Sequence, residues 1–195
     1  MALKKMTDLK DVFNGISSVL FQTTPLVSGD TITITPDYEL PVEVDSITIS
    51  QDDPTINNYR VHGMSIPWTT SSEVGDVNLD FIVPTNQTDV LKLAYGNSAV
   101  TTVSVTVTGA AGDGGDASGA WTGNSVKFSK TKVVGCIALL NESKDKLLVI
   151  NNVALYAAPQ YDNASTEPFA IHFVGSMEAG DAQSAGDMVF LTKSS

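Results

Sequence analysis

Cysteine is nearly absent from this sequence: Cys136 is the only one among 195 residues, so an internal disulfide is excluded. Cys136 lies in the apolar run VGCIA, where no neighbouring residue in the sequence would lower the pKa of a thiol. We therefore predict that it is a small buried core residue. A chain of this length buries about 70% of its unfolded surface and needs neither a disulfide nor a metal to form a core.

Basic residues are also scarce. The sequence has one arginine, Arg60, and scattered lysines, 11 basic residues in all against 22 acidic ones, which gives a formal net charge of −11. A protein that grips a phosphate backbone needs clustered lysine and arginine to displace counterions. The composition therefore excludes a surface that holds nucleic acid, although it is compatible with an acidic wall along which DNA moves without adhering.

The common catalytic and cofactor motifs are missing. The sequence contains no P-loop, no dinucleotide-binding glycine fingerprint, no HExxH and no CxxC, and its only histidines are His62 and His172. We interpret both histidines as structural or solvent-facing. Asp113 and Asp116 lie close together in a glycine-rich stretch, but their spacing matches neither an EF-hand nor a repeated Gly-Asp motif. We predict no catalytic residue, no cofactor and no metal, and therefore a protein that is not an enzyme.

Long apolar runs are absent as well. The longest apolar stretches fall well short of the ~18 residues that indicate a membrane span, and the first six residues lack the apolar region of a secretory signal. We predict no membrane partner and no secretory leader.

Alternation of apolar and small polar residues is the dominant pattern in what remains, and it predicts half-buried antiparallel strands. Alternating runs occupy residues 31–35, 46–50, 77–83, 102–108 and 169–173. Longer apolar runs at 133–140 and 147–158 predict more buried strands, with a polar hairpin turn at 142–145 between them. The predicted fold class is mainly β.

One segment has a clear helical period. Residues 85–95 (TNQTDVLKLAY) end at Gly96, which suits the position that follows a helix. Thr85 or Thr88 is placed to cap the start. We predict a single flanking α-helix there.

The N-terminal region is ambiguous. Residues 9–20 also have helical spacing, but Asn14-Gly15 is a turn signal inside them. A short N-terminal helix and a strand that runs through Phe21 are both compatible with this pattern.

A glycine-rich stretch divides the strands. Residues 109–123 (GAAGDGGDASGAWTG) contain six glycines and are flexible on composition. Because β-prone sequence precedes and follows them, we predict a long loop inside one domain of residues 1–195, not a domain boundary.

Three passages together resemble a known family. They are residues 44–55 (VDSITISQDDPT), the strand–proline–helix unit of residues 75–96 (GDVNLDFIVPTNQTDVLKLAYG) and the hairpin of residues 128–158. Their arrangement resembles the tail tube (major tail) proteins of bacteriophages with long tails, and is similar, more distantly, to the tube protein of type VI secretion. The resemblance is one of layout, over about two-thirds of the chain, and involves no short diagnostic motif.

The resemblance implies an antiparallel β-sandwich or partly open barrel with one flanking helix. It also implies a structural virion protein, made in the cytoplasm of a bacterial host, that self-assembles into hexameric rings stacked as a tail tube. The implied partners are identical copies, other tail proteins and the tape-measure protein, and DNA passes through the acidic channel at genome ejection without sticking.

Candidate positions follow from this interpretation. We expect residues 44–63 to form a pore-lining hairpin that turns near Asp52-Asp53-Pro54. The candidate lumen-lining residues are Asp45, Ser46, Thr48, Ser50, Asp52 and Asp53. We expect contacts between subunits at the N-terminal segment and in the glycine-rich loop, at Asp113, Asp116 and Trp121.

Other function classes remain as alternatives. A β-sandwich binding module, such as a carbohydrate-binding or adhesin-like domain, would need an exposed aromatic platform, for which Trp68, Trp121 and Tyr161 are the candidates. Another virion subunit, such as a decoration or baseplate protein, is a close alternative. An enzyme is the third, and it requires His62 or His172 in a cleft with carboxylates.

Overall fold

The computed structural model describes residues 11–26, 33–43, 45–108, 111–112, 115–162, 166–178 and 188–194. Within these residues the protein is mainly β with antiparallel sheets and one α-helix, which confirms the predicted fold class. The strands are β1 (Ile16–Gln22), β2 (Tyr38–Leu40), β3 (Thr48–Gln51), β4 (Thr55–Tyr59), β5 (Thr69–Glu73), β6 (Val77–Val83), β7 (Val100–Val107), β8 (Ala111–Gly112), β9 (Gly115–Asp116), β10 (Gly119–Val126), β11 (Val133–Asn141), β12 (Lys146–Gln160), β13 (Ala170–Met177) and β14 (Met188–Thr192). Helix α1 (Thr88–Tyr95) is followed by a 3-10 turn (Asn97–Ala99).

Eight strands form one large sheet in the order β2-β1-β11-β12-β13-β6-β3, with β14 paired to β12. Strand β11 pairs with one edge of the 15-residue β12. Along the other edge, β14 pairs with the first part of β12 and β13 with the last part. A bulge divides β12, since Gly135 faces Val153 but Ile137 faces Ile150. Such a bulge bends the strand and increases its twist, at the point where its partner changes from β14 to β13.

The sheet curls until its two outer edges approach each other. In a flat sheet, β2 and β6 would be five strand spacings apart, about 24 Å. Glu43 lies three residues after β2, and its backbone N–H donates to the carbonyl oxygen of Ile82 in β6 at 2.8 Å. Three residues reach at most about 11 Å. Because no ladder joins β2 to β3 in the described residues, the sheet does not close, in agreement with the predicted sandwich or partly open barrel.

The core lies on the inner face of this curl. It draws large buried side chains from most strands of the sheet, among them Phe21, Leu79, Phe81, Ile137, Ile150, Leu155, Ile171 and Phe173. The rings of Phe81 and Phe173 stack with their centroids 5.1 Å apart. A smaller cluster of Leu26, Cys136, Ala138 and Val149 packs separately, so the predicted burial of Cys136 is confirmed.

Helix α1 forms where the sequence predicts it and covers the core with Val90, Leu91, Ala94 and Tyr95. Gly96 ends the helix with φ of 92°, a left-handed conformation that glycine adopts without a steric penalty. Its N–H donates to the carbonyl oxygen of Lys92. At the other end of the helix, the prediction that Thr85 or Thr88 forms the N-terminal cap was wrong.

The residue that caps α1 is Gln87. Its side-chain oxygen accepts from the backbone N–H of Asp89 at 2.6 Å and of Val90 at 3.3 Å. The hydroxyl of Thr85 accepts from the N–H of Gln87 at 3.1 Å and so acts one step earlier.

The strand predictions are confirmed for residues 77–83, 133–140 and 147–158, with the polar turn at 142–145. Residues 33–35 have no regular structure, and 31–32 lie outside the described residues. At the N-terminus, residues 1–10 lie outside them too, 11–15 have no regular structure, and Ile16–Gln22 is a strand. Of the two alternatives for this region, the strand that runs through Phe21 is therefore confirmed, and a helix over residues 11–20 is wrong.

Candidate functional site

The β4–β5 hairpin projects from the large sheet without a core of its own. In the part of the chain that the structure describes, its strands pair only with each other, and every residue from 51 to 74 except Pro67 is exposed. The expected hairpin of residues 44–63 is wrong. Strand β3 pairs with β6 in the large sheet and β4 pairs with β5, because the chain leaves the sheet at residues 52–54.

This hairpin carries large apolar side chains that contact water. Ile56 in β4 is 62% exposed, and Trp68, just before β5, is 65% exposed. Val61, Met64 and Ile66 are exposed at its turn. A two-stranded hairpin alone is marginally stable, and an apolar surface of this kind marks an interaction site.

The turn of the β4–β5 hairpin is nevertheless ordered by its own hydrogen bonds. The Arg60 guanidinium donates to the carbonyl oxygen of Ser65 at 2.8 Å. The backbone N–H of Trp68 donates to the carbonyl oxygen of Tyr59 at 2.8 Å. The sole arginine therefore fixes the shape in which the apolar side chains are presented.

The β7–β10 hairpin is a second pair of strands that, among the described residues, joins no other strand, although its base at Val100 and Val126 packs against the core. Val105 pairs with Trp121 in this ladder, so their side chains lie on one face together with that of Val103. The side chains of Thr102, Ser104 and Thr106 lie on the other face. Val105 and Trp121 are 53% and 57% exposed. Neither strand contains a charged residue or a proline, the usual devices that prevent edge-to-edge association. This hairpin is therefore suited to contact another chain.

An aromatic groove lies at the base of the β7–β10 hairpin, with a volume of ≈ 550 Å³. We define it by its apolar lining residues Leu91, Val126, Phe128, Tyr161 and Phe169. The ring of Phe128 meets that of Tyr95 edge-on at 5.3 Å. This contact holds Phe128 in place although its side chain is 64% exposed.

Polar residues of the groove tie the β7–β10 hairpin to helix α1. Asn124 and Asn86 line it together with Gly123. The Asn124 amide donates to the hydroxyl of Thr88 at 2.6 Å. Since Gly123 also belongs to the face of the hairpin that carries Trp121, the groove and that apolar face adjoin.

An outer polar face spans three neighbouring strands of the large sheet. Its polar residues are Thr48 and Ser50 of β3, Asn78 and Asp80 of β6, and His172 and Ser176 of β13, and the same face also carries Ile82 and the 45% exposed Val174. His172 Nε2 lies 2.6 Å from Asp80 Oδ1, with both side chains partly exposed. Thr48 and Ser50 are exposed and face Asp80 and Asn78 across the ladder. Thr48 and Ser50, two of the candidate lumen-lining residues, therefore lie on the same solvent-exposed face.

The other four candidate lumen residues do not join this face in the same way. Ser46 is structural, since its hydroxyl donates to Glu43 O at 2.8 Å and accepts from the N–H of Ile82 at 3.1 Å. Asp45 has φ of 63° and lines a separate pocket of ≈ 290 Å³. Asp52 accepts from the Asn78 amide at 3.3 Å. Asp53 is exposed where the chain leaves β3.

The glycine-rich loop is only partly described. Asp113 and the side chain of Asp116 lie outside the described residues, while the backbone of Asp116 is in β9. Strand β10 begins at Gly119, inside the stretch that we predicted as loop. Trp121 is therefore a strand residue, and its indole N–H donates to the carbonyl oxygen of Ala117 at 3.0 Å.

The three candidate platform aromatics are all exposed, but they lie on three elements. Trp68 precedes β5, Trp121 is in β10 and Tyr161 follows β12. Only Tyr161 lines the aromatic groove.

The histidines are separate from each other. His62 is exposed at the turn of the β4–β5 hairpin, and His172 contacts a single carboxylate. Neither histidine lines the aromatic groove or the pocket that contains Asp45. Among the residues that the structure describes, no group of three or more His, Cys, Asp or Glu side chains is arranged to hold a metal ion. No helix in the described ranges is both long enough and apolar enough to span a membrane.

The sequence analysis missed the aromatic groove and the apolar side chains of the β4–β5 hairpin. Phe169 fell at the start of the predicted strand 169–173 and Phe128 at the start of the hairpin 128–158, and no role was predicted for Ile56 or Ile66. One signal in the sequence could have indicated the apolar hairpin. Large apolar residues are dense in residues 56–68, and acidic residues lie on both sides of this stretch.

Comparison with known proteins gives no family assignment: no family model matches the sequence, and no curated protein sequence matches it either.

Proposed function

We propose that this protein is a structural subunit that self-assembles, through its projecting hairpins, into stacked rings that form a hollow tube of the kind found in long-tailed bacteriophages. Its partners are identical copies of itself, other tail proteins and the tape-measure protein. It acts by shape and charge, without a cofactor or a catalytic residue.

The observation that carries this proposal is the pair of two-stranded hairpins that, among the described residues, join no larger sheet. Both β4–β5 and β7–β10 expose each of their faces and bear a tryptophan that is more than half exposed. Burying an apolar side chain of this size is worth about 1.5–3 kcal/mol. Assembly removes these side chains from water and covers the strand edges, so identical copies supply what the single chain lacks.

Charge supports a channel for nucleic acid. The net charge of −11 makes the assembled surface repel phosphate. The outer polar face presents small hydroxyl and amide groups with Asp80, and its Thr48 and Ser50 are the best placed of the candidate lumen residues. A lumen lined in this way lets DNA slide without adhering.

The test is direct observation of assembly. Purified protein is examined by negative-stain electron microscopy and sedimentation velocity over a range of protein and salt concentrations. We expect rings with a central hole, and tubes made of stacked rings. Monomer-sized particles under every condition contradict the proposal.

A binding module is the second candidate, favoured by the exposed aromatic residues of the groove. It predicts that the monomer binds immobilised glycans and that Trp121→Ala or Tyr161→Ala abolishes this binding. Assembly without glycan binding removes this candidate.

A further inference from the structure

We propose that the β4–β5 hairpin of one copy docks into the aromatic groove of the next copy, in a head-to-tail contact that repeats along the assembly. The inference rests on the proposed function and names the surfaces through which successive copies join.

The hairpin and the groove lie at opposite ends of strand β6. Strand β5 leads into the first residue of β6, Val77, whereas Asn86 of the groove follows its last residue, Val83, by three positions. Phe169 lies at the same end as Asn86, because Ile171 faces Val83. Seven residues of strand separate the two ends by about 20 Å. A projection at one end and a groove at the other are the two halves of a heterologous contact, which repeats to give rings or filaments.

The two surfaces match in apolar character. Ile56, Ile66 and Trp68 of the hairpin are more than 60% exposed. Phe128 and Tyr161, which flank the groove, are both 64% exposed. A groove of ≈ 550 Å³ falls within the size range of pockets that hold compact ligands. Aromatic anchors that enter such a groove are the typical centre of a tight contact.

The hairpin has one acidic and one basic end. Asp52, Asp53, Glu73 and Asp76 lie at its base, and Arg60 lies at its turn. Arg60 is the only Lys or Arg between residues 33 and 91.

The groove has the same division of charge. Lys127 and Lys130 flank Phe128 in a segment without acidic residues, and both are exposed. Asp162 and Glu167 line a neighbouring pocket together with Tyr161, which also lines the groove. In the proposed contact the acidic base of the hairpin faces the two lysines. Complementary potentials of this kind fix the orientation of a contact.

Charge reversal tests the contact. The hairpin variant Asp53→Lys/Glu73→Lys and the groove variant Lys127→Glu/Lys130→Glu change only exposed side chains. We expect each variant alone to need at least about tenfold more protein to assemble, because like charges then face each other. A one-to-one mixture restores assembly, since each reversed surface then meets its complement. The chain that carries all four changes also assembles.

A matched control and a spectroscopic readout make the test sharper. Lys144→Glu/Lys193→Glu changes two exposed lysines outside the proposed contact and leaves assembly unchanged. In a Trp121→Phe background, Trp68 is the single tryptophan. Its emission shifts to the blue as the protein concentration rises, and the shift requires complementary charges.

Each result decides between the two proposals. If wild-type chains form tubes and both charge variants form them equally well, the hairpin–groove contact is overturned while the proposed function stands. If the Trp68 shift follows charge complementarity but only short oligomers form, the contact stands and the tube is overturned. Trp68 emission that is independent of concentration in a monomeric protein overturns both.

Discussion

Cys136 is a residue whose chemistry is suppressed by its position. Its side chain is 1% exposed and packs in the small cluster with Leu26, Ala138 and Val149. Burial raises the pKa of the Cys136 thiol from 9.0 to about 11, because the thiolate loses its hydration. The thiol is therefore protonated and inaccessible at neutral pH.

We predict that Cys136 of the native protein reacts very slowly with Ellman's reagent at about pH 8, and that denaturant makes the reaction fast. Between pH 9 and about 11 the unfolded chain loses its thiol proton before the folded chain does. The free energy of unfolding therefore falls as the pH rises through this window. Immediate labelling of the native protein contradicts the prediction, and Cys136→Ser is the control for loss of the pH effect.

Helix α1 shows how an element is fixed by contacts at both of its ends. Gln87 accepts from two backbone N–H groups at its start, and the carbonyl oxygen of Tyr95 at its end accepts from the hydroxyls of Thr131 at 3.1 Å and Ser129 at 3.5 Å. An eight-residue helix is too short to be stable alone. These caps and the buried face against the sheet therefore hold it.

We predict that Gln87→Ala lowers the free energy of unfolding by about 1 kcal/mol, since it removes the side-chain cap of α1. Urea unfolding followed by far-ultraviolet circular dichroism measures the loss. Asn86→Ala, one residue earlier and exposed, is the matched control and is expected to change little. An equal effect of both substitutions would show that the Gln87 cap contributes nothing of its own.

At the scale of the whole molecule, charge and exposed apolar surface have different roles. The acidic excess opposes the binding of phosphate, whereas the two hairpins carry the exposed apolar surface on which the proposed assembly rests. Six of the large exposed apolar residues are Ile56, Tyr59, Val61, Met64, Ile66 and Trp68. In the proposed assembly, their concentration on one hairpin directs association to one end of the molecule.

We predict that the protein does not retard duplex DNA in a gel at protein concentrations up to about 100 μM, a range in which non-specific DNA-binding proteins do. The reason is the net charge of −11 and the absence of an arginine cluster. A basic DNA-binding protein run in parallel is the positive control. A shift that weakens as salt is added would contradict the prediction.

The sequence by itself determined the main strands of the core and the one helix, but not every strand of the projecting hairpins. Strands appeared where Val77, Leu79 and Phe81 alternate with polar residues, and α1 appeared before Gly96, because periodicity and glycine conformation are local properties. The charge of the chain is also the basis of the prediction that nucleic acid is not held.

Tertiary structure alone decided which strands pair and what the pairing brings together. Thr48 lies beside Asp80, which contacts His172, and Phe128 lies near Tyr161 and Phe169, because the sheet curls and β12 changes partner at its bulge. The sequence near Asp52 suits a tight turn, so it predicted that the strands on its two sides pair with each other. In the structure β3 pairs with β6, and β4 pairs with β5. Gln87 was missed as a cap because its side chain is long. Its side-chain oxygen reaches the N–H groups of Asp89 and Val90 only in the conformation that the preceding loop gives it. Such contacts join residues far apart in the chain, and a local pattern carries no information about them.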